Sequence, residues 1–124
     1  MERAPSPPDW YQEDVVCVAI VPIGQMVDWS PDSYEPDLSL WPPEGTFLRF
    51  QSIARELDLE PLATLNPYEQ SRHSKDVCKA LLSRWDELAV AVENTPGAGW
   101  VAAIGLMLKC CVRSDGVELL IEGP

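Results

Sequence analysis

A chain of 124 residues with 46% apolar and 23% charged residues has the size and composition of one globular domain and is too apolar for a disordered polypeptide. Twenty Asp and Glu against nine Lys and Arg give a net charge of −11. That field disfavours nucleic acid and anionic membranes as direct partners and favours a basic protein surface, although negative charge also serves solubility on its own.

Residues 1–8 carry three prolines and no apolar periodicity, and read as a loose N-terminal arm. No secretory leader pattern is visible, so the expected compartment is the cytoplasm. No apolar stretch reaches about 18 residues without a charge or proline, which excludes a transmembrane helix. Four cysteines, Cys17, Cys78, Cys110 and Cys111, form neither a CxxC pair nor a Cys/His ladder, so buried thiols are expected rather than zinc or disulfides.

Val15 to Val21 reads VVCVAIV, a β-branched run with no polar interruption that predicts a central strand covered on both faces. Pro22 and Gly24 end it. Residues 25–45 then form a long proline-punctuated loop, with prolines at 31, 36, 42 and 43. Loops of that length inside a domain are usually functional or disordered. Its large side chains Met26, Trp29, Tyr34, Leu40 and Trp41 favour order.

Thr46 is placed to cap a helix whose apolar positions are Phe47, Phe50, Ile53, Ala54 and Leu57, with Arg49, Ser52 and Glu56 on the opposite side. A second helix starts at Asn66, where Pro67 and Glu69 complete a start signal, or by Ser74. Val77, Leu81, Trp85, Leu88 and Val92 form its apolar stripe, and residues 94–97 stop it. Asp115-Gly116 then predicts a hairpin between 100–113 and 117–121, with Cys110 opposite Ile121, Val112 opposite Leu119 and Arg113 opposite Glu118. Trp100 to Leu106 fits a helix as well. The order predicts an α+β fold: a small, mainly antiparallel sheet of the N-terminal strand and C-terminal hairpin, packed by two helices.

Catalytic signatures are lacking. His73, the one histidine, falls at the start of the second helix and has no partner at helical spacing, so it reads as a surface or first-turn structural residue. Pro96 to Gly99 is glycine-rich but follows a helix, the reverse of a phosphate-loop context. Asp28, Asp32, Glu35 and Asp37 lack the order and turning glycine of a calcium loop. No cofactor or metal is expected, and the chain does not read as an enzyme.

The distribution of charge is the informative feature. Between Asp9 and Glu44 stand eight acids and no Lys or Arg, together with Trp10, Tyr11, Trp29, Tyr34 and Trp41, five of the chain's ten aromatics. Residues 1–62 carry a net −9 and the remainder −2. Acids interleaved with rigid aromatics on proline-stiffened backbone suit a protein interface, in which carboxylates steer towards Arg or Lys and aromatics anchor. The expected partner-binding residues are Asp28, Trp29, Asp32, Tyr34, Glu35, Asp37, Trp41 and Glu44. The alternative is that the tryptophans fold back over the sheet.

In general character the chain looks like bacterial immunity proteins, which block a toxin, and the analogy implies occlusion of a basic cleft on a toxin or nuclease-like enzyme. Two other readings are a viral or phage nucleic-acid mimic that blocks a host nuclease or defence complex, and a small enzyme using the loop carboxylates.

Overall fold

The computed structural model describes residues 14–24 and 38–123. Its elements are β1 (Cys17–Pro22), β2 (Ser39–Leu40), α1 (Glu44–Glu56), β3 (Ser71–His73), α2 (Lys75–Ala91), α3 (Ala98–Arg113) and β4 (Val117–Glu122). The strands form one sheet in the order β2-β1-β4-β3, and every pair is antiparallel. Three helices on this four-stranded sheet give the α+β class that the sequence predicts.

The uninterrupted apolar run at β1 has a direct structural cause. Val16, Val18 and Ile20 point into the core beneath the helices, while Cys17, Ala19 and Val21 point the other way and are equally buried. A strand covered on both faces has no position left for a polar residue. Its register with β4 sets Ile20 opposite Leu119 and Ala19 opposite Leu120, so apolar groups meet on both faces.

The predicted hairpin is corrected at its first arm. Residues 98–113 are the helix α3, which buries Val101, Ile104, Met107, Leu108 and Cys111 and leaves Leu106 67% exposed. None of the expected pairings of Cys110, Val112 and Arg113 with β4 exists, because β4 pairs with β1 and β3 instead. Asp115-Gly116 still turns the chain, with Gly116 at φ +74°, but it joins a helix to a strand. Cys110 and Cys111 are therefore about 100° apart on a helix rather than on opposite faces of a strand, and Cys110 is exposed while Cys111 is buried.

The two predicted helices are present with their predicted apolar faces. α1 starts two residues before the expected cap, with Pro43 as N-cap and its carbonyl accepting from Phe47 N–H at 2.9 Å. Its buried side also carries Gln51, whose amide donates to the carbonyls of Leu62 (3.0 Å) and Leu65 (2.8 Å) and so ties the 59–65 turns to the helix. α2 starts at the later of the two predicted points, with Ser74 Oγ accepting from Val77 N–H at 3.3 Å. Asn66 holds a local turn, its side-chain oxygen accepting from Tyr68 N–H at 2.9 Å. Between them lies β3, a strand the sequence reading did not contain, and it carries His73.

One continuous core joins the helices to the sheet through Phe47, Phe50, Leu81, Trp85, Leu88, Leu108 and Leu119. Phe47 and Phe50 meet edge to face with ring centroids 4.8 Å apart, a favoured aromatic geometry. The indole N–H of Trp85 is satisfied inside that core by the Val101 carbonyl at 2.8 Å. None of the helices among the described residues is long and apolar enough to cross a membrane.

Candidate functional site

Of the expected partner-binding set, Asp28, Trp29, Asp32, Tyr34, Glu35 and Asp37 lie outside the described residues. Trp41 and Glu44 lie within them, as do both ends of the acidic segment. At its start, Ile23 N–H donates to the Gly116 carbonyl at 3.0 Å, and Gly24 N–H donates to the Glu118 carboxylate at 3.2 Å. Glu118 also takes a 2.8 Å ion pair from Arg72, and the guanidinium holds its carboxyl below the usual carboxylate range. At its end, Ser39 and Leu40 pair with Ala19 and Val18, Val16 N–H donates to the Pro42 carbonyl at 2.9 Å, and Glu44 N–H donates to the Asp14 carbonyl at 2.8 Å. The scaffold therefore fixes where the acidic segment leaves and where it returns.

Trp41 sits half-buried against Cys17, Ala19, Val21 and Leu120 on the sheet face opposite the helices. Its indole nitrogen lies 3.3 Å from Ser39 Oγ, the hydroxyl accepting. Packing over the sheet is the role the described contacts give this side chain.

Glu44 opens α1, where a carboxylate is favoured by the helix dipole. Its carboxylate lies near the Tyr68 hydroxyl, and hydrogen bonding to Glu44, with the negative charge of Asp14 nearby, raises the phenol above its ordinary value. Tyr68 is 49% exposed. Asp14, Glu44 and Tyr68 thus form an acidic, aromatic surface cluster in which two strand-flanking carboxylates meet a tyrosine from a distant turn. Sequence reasoning missed Tyr68 because it stands 24 positions after Glu44, and only closure of the sheet brings the two together. Gly123 shows how tightly this corner is packed, since a Cβ there would land on the Pro67 carbonyl oxygen and against Tyr68 Cα.

The group that most resembles catalytic machinery lies on β3. His73 is buried in the strand, which corrects the expected surface or first-turn helical position, and its Nε2 is 2.9 Å from Ser71 Oγ. The Ser71 hydroxyl is also 3.3 Å from the Ile121 carbonyl. With a single hydroxyl proton, the consistent assignment has Ser71 donate to Ile121 O and accept from His73 Nε2–H. Burial lowers the pKa of the imidazole and so favours its neutral form. A serine whose proton is committed to a backbone carbonyl is not set up as a nucleophile, so the pair works as a lock between β3 and β4.

Below it, Cys78 Sγ lies 3.9 Å from the His73 carbonyl and 3.8 Å from Cys111 Sγ. Burial pushes the Cys78 thiol up to about 12, so it remains protonated and unreactive. Among the described residues, no three His, Cys, Asp or Glu gather as metal ligands. No family model, curated protein or solved structure matches this chain.

Proposed function

We propose that this chain is an acidic protein-binding inhibitor that neutralises a basic partner by occluding its cleft, in the manner of an immunity protein against a toxin. The carrying observation is the run of eight acids without one Lys or Arg between Asp9 and Glu44, interleaved with five aromatics. Its anchorage supports the reading: β1, β2 and Glu118 hold both ends of residues 25–37 on a rigid sheet. The exposed cluster of Asp14, Glu44 and Tyr68 extends the same chemistry onto the scaffold. In this reading the carboxylates speed encounter with a Lys- and Arg-rich surface, and the aromatics supply the short-range energy.

The test is capture of proteins from the source cell on the immobilised chain, in about 50 mM salt, beside a variant with Asp28, Asp32, Glu35 and Asp37 changed to Asn or Gln. One basic protein recovered stoichiometrically by the wild type, and lost on the variant, supports the reading. Equal recovery on both, or no stoichiometric protein, removes it.

A further inference from the structure

The second feature that invites a ligand lies away from the acidic segment. α1 and the turn between α2 and α3 enclose a cleft of about 430 Å³, within the size range of small-molecule sites. Its floor is apolar, with Phe50 and Val92 buried and Ile53 half-buried. Its ten lining residues include no Asp or Glu and a single charge, Arg49.

That charge makes no ion pair among the described residues, although the chain carries more than twice as many acids as bases. Arg72, Lys75 and Arg84 pair with Glu118, Asp115 and Glu87. Arg55, Lys79, Lys109 and Arg113 share with Arg49 the lack of an ion pair among the described residues, so what distinguishes Arg49 is its place beside an apolar cleft without an acid. The far wall of the cleft is Gly97, which opens α3 without a side-chain cap, and the first turn of α3 contains no acid. Local charge in this cleft is thus opposite in sign to that of the whole molecule.

We propose that the cleft binds a small amphipathic monocarboxylic acid. Its apolar body lies on Phe50, Ile53 and Val92, and its carboxylate pairs with the guanidinium of Arg49. A planar guanidinium matches the two oxygens of a carboxylate. A dianionic phosphate fits less well, because one exposed arginine has to offset the repulsion of a −11 protein for two charges.

The test is titration of the isotope-labelled full chain with 3-phenylpropanoate, its amide and the corresponding amine, followed by amide chemical shifts. The acid is expected to move Ile53, Thr95 and Gly97 saturably, with a dissociation constant on the order of 1 mM for a ligand of that size. The amide should bind about three- to fivefold more weakly, in keeping with an exposed ion pair, and the amine more weakly still. Arg49→Gln, at an exposed position that leaves the fold intact, should bind acid and amide alike. No saturable shift up to about 10 mM acid, or equal binding of acid and amide by the wild type, overturns the proposal.

Discussion

The ring of Trp85 lies where a side chain on residue 105 would begin: a Cβ built on Gly105 falls 2.9 Å from Trp85 Cδ1 and 3.0 Å from Nε1. The indole cannot retreat, because its N–H is bonded to the Val101 carbonyl in the same buried contact between α2 and α3. Alanine is favoured over glycine inside a helix by about 1 kcal/mol, whereas overpacking a core costs about 1–3 kcal/mol. Gly105→Ala is therefore expected to destabilise by up to about 2 kcal/mol, read as a lower urea midpoint. Combined with Trp85→Leu, the glycine change should cost less than it does alone, since the colliding ring is gone. Additive costs in that double-mutant cycle would mean that the close approach is not the cause.

Gln51 is the buried polar residue of α1, and its amide serves two carbonyls of the 59–65 turns. Gln51→Leu keeps the volume but leaves Leu62 O and Leu65 O without that donor. An abandoned buried acceptor costs about 1–3 kcal/mol, so a loss of about 2 kcal/mol is expected, with faster limited proteolysis between residues 59 and 66. Unchanged proteolysis there would show that the turns do not depend on this side chain.

Burial lowers the pKa of His73 in the folded state. The unfolded chain, with an imidazole near 6.5, then binds more protons as the solution is acidified, and stability falls as pH drops through about 6.5. The loss stops growing once the folded imidazole itself takes a proton at lower pH. Glu118 acts in the same sense at lower pH: its depressed pKa contributes stability that is present above the ordinary carboxylate range and is lost as the solution is acidified below it. Between about pH 7.5 and 5.5, His73 is thus the group that responds. The urea midpoint of the wild type should fall across that window, and that of His73→Gln should fall less. Equal slopes would exclude the imidazole as the source.

Thiol reactivity checks the helix assignment of residues 98–113. Cys110 is exposed, whereas Cys17, Cys78 and Cys111 are buried. One equivalent of an aromatic disulfide reagent should react within minutes at about pH 8, and the remaining three only after unfolding. A Cys110→Ser chain should show no fast equivalent. Two fast thiols in the native wild type would contradict the burial of Cys111.

The sequence carried β1, α1 and α2 plainly because each obeys one period without competition. The run from Val15 to Val21 has no polar residue, and the stripes of Phe47 and Leu81 repeat at helical spacing. α3 was misread because its apolar content satisfies two periods at once. Leu106, Leu108, Cys110 and Val112 alternate as in a strand, yet Val101, Ile104, Leu108 and Cys111 repeat as in a helix, and burial follows the second set. The glycine at 116 deepened the error, since a positive φ is wanted equally by a hairpin and by a helix-to-strand turn. β3 escaped notice because its three residues, Ser71 to His73, are polar and too few to show a period. The acidic character of the segment up to Glu44 is legible in the sequence, whereas the approach of Tyr68 to Glu44 and the cleft beside Arg49 exist only through packing between distant segments.

The widths of the sheet's strands bear on how it can meet other chains. Its two central strands pair over six residues, while β2 at one edge has two and β3 at the other has three. Edges this short offer few unpaired backbone groups for an incoming strand. Recruitment by strand addition is thereby discouraged, in a partner and in another copy of the chain alike. Among the described residues, the short edges thus act against edge-to-edge pairing of a sheet whose two central strands are so apolar.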